Sequence, residues 1–470
     1  MQWILPPMAR KTKPDLPSWW VWLILPLLCV ALSAVVLVFT WPVARGFADL
    51  RFWFWLLVAP LLSSGALSLF WLSEVLQRRR EVDSRHLFLD RKQAQWVAQG
   101  RTSLKLAAWH LVTPEPELML RVVGLSGTVP EAPAATQRLP VDKENPLGQA
   151  GNCPVWSQLL SPLQHVLRSL SVVDIWCSVS GQDQNEARQS LLQSWQTLSG
   201  RPLPTNRLHW LSAPADASLL EQWCDTPFDT PRLIVCLHQI TDDAKATEFS
   251  TALLFLPHNQ HLPEQLPFRP VYVFRPLLMP QAAPEKKLTA LLDVQQVPPG
   301  HRRHLWDAGH DARARNMLLS TLDEYGDPLP ADGQHALSSF TGETGPEGFW
   351  LALTLAVEAT DIGQQGQVVL SPLEAHTACL QISIRPADRV NMPVDSLPRY
   401  PLAWFGGSCC LILLFALLPP PSVLQVLWPW LVGGFALYAL LLAFAIPLVL
   451  RLWHFRLEDE WSAQENQPYE

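Results

Sequence analysis

The chain has 470 residues, of which 16% are charged and 49% hydrophobic, with 22 Trp, 43 Pro and a formal net charge of -7. The charged share is well below the value of about 25% that is typical of soluble domains. This composition excludes a disordered, collagen-like or coiled-coil chain, and the net charge excludes a nucleic-acid binder that relies on a basic surface. It permits a membrane protein, so the position of the apolar residues decides the class.

The apolar residues concentrate in four segments. Residues 19–41 and 52–73 form uncharged runs of 23 and 22 residues, each long enough to cross about 30 Å of hydrocarbon. Residues 402–450 also lack any charge, and a run of three prolines divides them into segments 402–418 and 426–450. We therefore predict four transmembrane helices, the third of which carries a Gly406-Gly407 pair that lets another helix approach closely.

The basic residues near the ends of these segments predict their orientation. Fourteen Lys and Arg lie before the first segment, after the second, before the third and after the fourth, against two, Arg45 and Arg51, in the first hairpin loop and none in the second. Because Lys and Arg are retained on the cytoplasmic side, residues 1–18, the central region and the tail 451–470 are predicted to be cytoplasmic. The sequence thus predicts a multi-pass protein of a bacterial inner membrane that contacts the lipid bilayer.

The eight cysteines follow no ligand spacing. Three lie inside predicted spans, and the other five are scattered through the central region: Cys153, Cys177, Cys224, Cys236 and Cys379. This distribution argues against a disulfide framework and against a structural zinc site, and most of these thiols are predicted to be small buried side chains. The chain also lacks a phosphate-binding lysine loop, a dinucleotide-binding glycine motif, a zinc-protease motif and a serine-hydrolase motif. We expect no metal, no cofactor and no nucleic acid.

Residues 93–398 are predicted to form one cytoplasmic α/β domain with a largely parallel sheet, because helical and extended patterns alternate along them. A Pro- and Ala-rich segment at 127–151 predicts a long loop. The predicted elements are helices at 156–169, 185–198, 218–224, 313–325 and 348–359, and strands at 172–178, 207–211, 232–240, 249–256, 271–274, 368–370 and 380–385.

Within this domain, residues 208–384 resemble part of a thiolase-like (β-ketoacyl synthase-like) domain. The resemblance rests on the strand 231–240 followed by the segment EFSTALLFL at 248–256, on LWDAG at 305–309, and on GETGPEGFW at 342–350. The family relation implies a layered α/β fold. It also implies that the second motif corresponds to the loop of a first catalytic His, and the third to the loop of a second.

The catalytic residues that the resemblance implies are missing from this sequence. Condensing members of the family use a Cys at a helix N-terminus and two His, but residues 211–218 contain no Cys, and Glu343 replaces the second His. The first loop offers Gly309 or, with a shifted alignment, His310. We therefore predict no catalytic, cofactor-binding or metal-binding residues, although a partial site containing Cys224 and His310 is an open alternative.

A basic cluster follows Gly300, formed by His301, Arg302, Arg303 and His304. The pattern is typical of a solvated loop, and the alternative is a surface that binds an anionic partner. No Asp, Glu, Lys or Arg lies inside a predicted span, which argues against a transporter or channel.

The sequence favours a non-enzymatic inner-membrane adaptor whose pseudo-thiolase domain binds a protein partner. Its organisation is similar to accessory proteins of bacterial secretion machinery, including those that handle type VI effectors. One alternative is an immunity protein whose helices block a membrane-acting toxin, and another is a membrane-bound acyltransferase that uses a relocated thiol such as Cys224 or Cys236. The sequence does not define the oligomeric state.

Overall fold

A computed structural model gives the structure of the chain, which divides into two compact units: residues 1–4 with 96–390, here the α/β unit, and residues 5–95 with 391–470, here the helical unit. The structure describes residues 3–6, 9–16, 18–41, 49–140, 153–181, 183–211, 216–240, 245–258, 260, 269–280, 285–309, 312–373, 376–394, 402–417 and 421–465.

The helical unit is built from long helices, whereas the helices of the α/β unit are short. In chain order they are α1 (Trp19–Thr40), α2 (Leu50–Trp53), α3 (Ala59–Gly100), α4 (Leu118–Val122), α5 (Cys153–Leu160), α6 (Gln164–Ser169), α7 (Gln184–Ser199), α8 (Ala217–Asp225), α9 (Glu285–Val294), α10 (Ala312–Glu324), α11 (Ser338–Thr341), α12 (Gly348–Asp361), α13 (Leu402–Leu417) and α14 (Pro421–Glu465). A π-helical turn, Phe54–Val58, joins α2 to α3. The unit boundary after residue 95 falls within the last turns of α3.

The strands of the α/β unit form one sheet. They are β1 (Ser103–Val112), β2 (Asp174–Ser180), β3 (Leu208–Trp210), β4 (Arg232–His238), β5 (Phe249–Leu256), β6 (Val271–Phe274), β7 (Leu277–Pro280), β8 (Arg302–Asp307), β9 (Gln334–Ala336), β10 (Gly366–Pro372) and β11 (His376–Ser383). Their order is β3-β2-β4-β5-β1-β6-β11-β10-β8-β9, with β7 pairing beside β11.

The sheet is mixed, so the prediction of a largely parallel sheet is wrong. Among the described residues four strand pairings are parallel and six are antiparallel. Three of the antiparallel pairings involve β1 or β6, which lie in the middle of the sheet next to β5 and β11. The other three are β4 with β5, β10 with β11 and β7 with β11. The connections from β4 to β5 and from β10 to β11 are shorter than the dozen or so residues that a parallel crossover needs. Strand β1 in particular was not predicted, although six of its ten residues are buried.

The sheet contains the same four-strand arrangement twice, in residues 174–256 (the first half) and 302–383 (the second half). In each half the first strand pairs in parallel with the second and with the third, and the third pairs antiparallel with the fourth. The four strands are β2 to β5 in the first half and β8 to β11 in the second, and β1 and β6 join the halves. A helix precedes the third strand in each case, α8 in the first half and α12 in the second.

Two apolar layers cover the sheet. One face packs against α4, α8 and α12, of which α12 is buried along almost its whole length. The opposite face of β1, β2, β4 and β5 packs against α5, α6 and α7 around the fully buried Trp156. The helices predicted at 185–198, 218–224, 313–325 and 348–359 are confirmed within two residues at each end.

The cluster at residues 301–304 is not a solvated loop, so that prediction is wrong. Arg302 and His304 are buried in β8, while Arg303 is exposed. The Arg302 guanidinium forms an ion pair with the buried Asp327 carboxylate and donates to the Val297 carbonyl at 2.9 Å and to the Gln381 side-chain oxygen at 3.3 Å. Side chains alternate between the two faces of a strand, so Arg302 and His304 point inward while Arg303 points outward. The charge of Arg302 is tolerated inside because it is paired with Asp327. Composition alone would place all of these polar residues on the surface.

In the helical unit, two helices of the described chain are long and apolar enough to cross a membrane, Trp19–Thr40 and Leu50–Gly100. They correspond to the predicted spans 19–41 and 52–73. The other two predicted spans, 402–418 and 426–450, fall on α13, which has 16 residues, and on the charge-free first part of α14. These two spans, and the four-span topology as a whole, stay predictions.

The helical unit has close helix contacts at small residues. A Cβ atom on Gly407 would lie 3.2 Å from the Phe70 ring, and one on Gly406 would lie 3.2 Å from the Leu69 side chain, so the expected close approach of a helix to this glycine pair is confirmed. The Ser408 hydroxyl also bonds to the Tyr438 hydroxyl at 2.9 Å. Farther along, the Phe88 cluster, formed by Phe88, Leu457 and Trp461, joins α3 to α14.

Candidate functional site

The motifs that carry the predicted resemblance meet at one edge of the sheet. A Cβ on Gly348, at the start of α12, would lie 3.4 Å from the Ala308 carbonyl oxygen in the loop after β8. Directly before it, the Glu347 carboxylate lies 3.8 Å from the His238 ring at the end of β4. The structure therefore brings the LWDAG and GETGPEG loops of the second half against the last residue of a strand of the first half.

Three polar side chains form the centre of this edge: Ser180, His238 and Glu347, here the Ser–His–Glu cluster. Ser180 and His238 are the last residues of β2 and β4 and the final pair of their parallel ladder, so their side chains lie on the same face. The Ser180 hydroxyl oxygen lies 2.9 Å from His238 Nδ1, and the Phe249 ring stacks on the imidazole at 5.1 Å between centroids.

The electrostatics of the Ser–His–Glu cluster favour neutral groups. Burial lowers the pKa of His238 to about 4, so its imidazole is neutral at pH 7. Burial also raises the pKa of Glu347, and hydrogen bonds to its own backbone and to Ser180 offset part of that rise. The cluster resists holding net charge in an apolar environment.

The geometry of the cluster differs from that of a serine nucleophile with its base and orienting acid. In such a triad the serine and the carboxylate bond to opposite nitrogens of the imidazole. Here both Ser180 and Glu347 approach Nδ1, and Nε2 of His238 is buried with no hydrogen-bond partner in the described part of the chain. The cluster links the two halves of the sheet, and it does not form a relay that would activate Ser180.

The helix N-terminus at which the resemblance implies a nucleophile is occupied by an acidic residue. Asp216 caps α8, and its carboxylate accepts hydrogen bonds from the Ser218 backbone N–H at 2.8 Å and from the Ser218 hydroxyl. The next residue, Ala217, is fully buried. The N–H groups and the dipole that would stabilise a thiolate at this point therefore stabilise the carboxylate of the chain itself.

The buried thiols of the α/β unit are poor nucleophiles. Burial raises the pKa of Cys224 to about 12 and that of Cys379 to about 12, and it raises the pKa of Cys177 and Cys236 well above the ordinary value. Because the thiolate is the reactive form, these four side chains stay protonated and unreactive at pH 7.

The candidate residues from the sequence are Gly309, His310 and Glu343, of which the structure describes the first and the third. Gly309 lies in the loop after β8, where its N–H donates to the buried Asp307 carboxylate at 3.1 Å, and His310 lies outside the described residues. Glu343, which stands where the resemblance implies a second His, is exposed to solvent. Within the described part of the chain, no three His, Cys, Asp or Glu side chains are grouped so that they could hold a metal ion.

The Ser–His–Glu cluster was not predicted, although His238 and Glu347 lie inside the quoted motifs and Ser180 lies just beyond the predicted strand at 172–178. One signal was present in the sequence, because Ser180 and His238 each end an apolar strand. Polar residues at the carboxyl ends of parallel strands often mark the functional edge of an α/β sheet. The contribution of Glu347 depends on a contact between the two halves, which no local pattern indicates.

The chain matches no protein-family model, and no curated protein is similar to it in sequence. Its structure is similar to solved ketosynthases. Over 62% of this chain and 99% of the other, it is similar to an oxazolomycin ketosynthase domain of Streptomyces albus with 9% identity and a TM-score of 0.40. The ketosynthase from module 1 of the bacillaene synthase of Bacillus amyloliquefaciens gives 9% identity and a TM-score of 0.42 over 64% of this chain and 75% of that one.

The 3-oxoacyl-[acyl-carrier-protein] synthase III of Aquifex aeolicus is similar over 60% of this chain and 99% of its own, with 10% identity and a TM-score of 0.35. These proteins belong to the class that the sequence resemblance implied. At such low identity these similarities concern the fold alone.

Proposed function

We propose that the chain is a membrane-anchored, non-enzymatic adaptor whose thiolase-like α/β unit binds a protein partner at the cytoplasmic face. The partner class that the sequence suggests is an effector or a component of type VI secretion machinery. The observation that carries the proposal is the Asp216 cap on α8, because a carboxylate occupies the position from which a thiolate would attack. The raised pKa of the Cys224 thiol supports the same conclusion.

Membrane anchoring by four helices is also part of the proposal. Two helices of suitable length and composition support it directly, and the charge-free segments in α13 and α14 are consistent with a second pair. The Ser408–Tyr438 hydrogen bond supports packing of α13 on α14, since polar side chains inside a bilayer bond across helices. The excess of basic residues beside the spans supports a cytoplasmic location of both termini and of the α/β unit.

Incubation of the purified full chain with a radiolabelled malonyl or acyl thioester separates an adaptor from an acyltransferase. We expect no covalent label above that of a denatured control. A label that is lost in Cys224→Ala or in Cys236→Ala would show a working thiol and overturn the proposal. Cys379→Ala is the matched control, because Cys379 is also fully buried and was never a candidate nucleophile.

Partner binding and topology need their own measurements. A photo-crosslinking residue at the exposed Glu343 is expected to trap one specific protein in intact cells, and the reciprocal crosslink from that protein should return this chain. Absence of any reproducible crosslink from several exposed positions would contradict an adaptor.

Alkaline phosphatase inserted within 127–140 should be inactive, because the enzyme folds only in the periplasm. Activity of such a fusion would show that the α/β unit lies on the periplasmic side.

A further inference from the structure

Arg232, the first residue of β4, has an unusual environment. Its guanidinium carbon lies 4.2 Å from the centroid of the Phe228 ring, 4.7 Å from that of Trp223 and 5.9 Å from that of Trp176. These three rings and Arg232 are here called the arginine cage. Cation–π attraction holds a guanidinium over aromatic faces and leaves its N–H edge uncovered.

The guanidinium of Arg232 has no acceptor among the described residues. Its Nε is buried and makes no hydrogen bond, and its two terminal amino groups also lack partners but are not buried. Arg275 and Arg302, the two most deeply buried arginines of the α/β unit, each form an ion pair with at least one carboxylate. The cage therefore holds a partly buried cation whose terminal amino groups make no hydrogen bond to the described residues.

Asp174, at the start of the neighbouring strand β2, does not form an ion pair with Arg232. Asp174 is the cross-strand neighbour of Arg232, but its two oxygens accept from Arg207 at 2.8 Å and from the Thr230 hydroxyl at 2.7 Å. Burial lowers the pKa of Arg232, and the charge of Asp174 offsets only part of that effect. The Nε1 of Trp176 is a second buried donor without a partner in the described chain.

The surroundings select the kind of anion that fits. A planar guanidinium binds a carboxylate through two parallel hydrogen bonds, and the apolar rim of the cage favours an anion attached to an apolar group. Asp229 is an exposed residue next to Phe228, so a dianion such as phosphate would meet more like charge there than a single carboxylate would, whereas the nearby Asp225 is paired with Arg275. A single carboxylate carried by a peptide satisfies both conditions.

We propose that the arginine cage is a binding site for one carboxylate of a protein partner, which Arg232 binds through its terminal amino groups while the partly exposed Phe228 and Trp176 rings contact the flanking apolar atoms. The source of the carboxylate rests on the proposed function, whereas the carboxylate chemistry itself does not. The site lies at the first residues of β2 and β4, at the edge opposite the Ser–His–Glu cluster, which occupies their last residues.

The test measures binding of two short peptides to the detergent-solubilised full chain by ligand-observed NMR. One peptide is acetylated and amidated and contains a single Glu beside Leu, and the other has Gln in its place. We expect the Glu peptide to bind and the Gln peptide to bind at least about tenfold more weakly. Arg232→Met should lower the affinity for the Glu peptide by about tenfold, and Arg232→Lys should lower it by less, since charge stays but the fork is lost.

Arg303→Met is the matched control, because Arg303 is an exposed arginine with only a loose contact of 3.8 Å to Asp332. It should leave peptide binding unchanged. Equal binding of the Glu peptide by the wild type and Arg232→Met, or stronger displacement by inorganic phosphate than by acetate, would overturn the site. Thermal unfolding of each variant checks that the chain is folded. Failure to capture any partner in cells counts against the proposed function alone, since the peptide measurement does not depend on it.

Discussion

The two halves of the sheet share one strand arrangement and stabilise charge in opposite ways. In the second half, Arg302 is 2% exposed and is bonded to Asp327, to Gln381 and to a backbone carbonyl. In the first half, Arg232 is held by aromatic rings and has no carboxylate partner among the described residues. The same topology therefore allows a closed, self-neutralised arginine in one half and an arginine with free donors in the other.

This difference indicates which half of the sheet has hydrogen-bond donors available for a ligand. A buried ion pair whose hydrogen bonds are complete has no free donor or acceptor for a ligand. Removing one partner of such a pair lowers the free energy of unfolding. A guanidinium that is held only by aromatic ring faces keeps its N–H donors available for a ligand. We therefore expect the second half to contribute stability and the first half to bind a partner.

The largest expected effect is at the closed arginine. Asp327→Asn keeps the shape of the side chain but leaves Arg302 buried without a counter-ion, so the free energy of unfolding should fall by about 3–5 kcal/mol. Urea unfolding of the full chain in detergent, followed by Trp fluorescence, measures it. Arg232→Met should change the same quantity by less than about 1 kcal/mol, since the lost cation–π contact is offset by removing a partly buried charge. Equal losses would contradict the contrast between the halves.

A smaller loss is expected from glycines at corresponding turns. A Cβ on Gly181, after β2, would lie 2.1 Å from the Gln239 carbonyl, and φ is +80°; on Gly309, after β8, it would lie 2.3 Å from the Pro372 ring. Gly181→Ala combines a backbone clash with a left-handed conformation, so we expect a loss of about 1–3 kcal/mol, larger than for Gly309→Ala. Gly326→Ala, at φ +75° with no atom nearby, is the control and should cost about 1 kcal/mol or less.

The pH dependence of stability should carry a contribution from each half. Burial lowers the pKa of His238 and of His335 to about 4, against about 6.5 in the unfolded chain. The unfolded state then takes up protons first, so stability falls as pH drops from about 6.5 towards 4, by up to about 1.4 kcal/mol per pH unit for each His. His238→Gln and His335→Gln should each flatten this slope in unfolding curves recorded at several pH values. An unchanged slope in both variants would contradict it.

The smallest expected effect concerns the capped helix. Asp216→Ala removes the acceptor of the Ser218 N–H and should lower the free energy of unfolding by about 1 kcal/mol. Asp183→Ala is matched to it, because Asp183 caps α7 in the same way through the Asn185 N–H at 3.0 Å. Thermal unfolding of the two variants should give similar losses. A gain in stability for Asp216→Ala would mean that α8 tolerates an empty N-terminus, which would weaken the case against a nucleophile there.

Local sequence pattern predicted much of the fold, because amphipathic helices and buried strands of ordinary length are recognisable from the spacing of their apolar residues. The strands at 232–240 and 249–256 and the long buried helix at 348–359 are examples that the structure confirms. Pattern failed where pairing is non-local. Strand β1 is separated from its partner β5 by more than a hundred residues, and the burial of Arg302 depends on Asp327, which lies in the loop after α10.

The candidate site was predicted less completely than the fold. The missing thiol, and Glu343 in place of the second His that the resemblance implies, could be recognised from the sequence, because the absence of a residue type is visible without any structure. The Ser–His–Glu cluster and the arginine cage could not, since each needs side chains from three separate segments to be brought within hydrogen-bond or ring-contact distance. Pairwise spacing along the chain carries no information on such contacts.

The Phe88 cluster has a consequence for how the protein is made. It joins Phe88, near the start of the chain, to Leu457 and Trp461, with the α/β unit encoded between them. Arg85 adds an ion pair to Glu460 at 3.5 Å. During synthesis the ribosome must therefore complete the whole α/β unit and α14 before α3 meets these partners. Until then Phe88 lacks its contacts with α14, so the packing of α3 on α14 at this cluster forms only after the α/β unit has been synthesised.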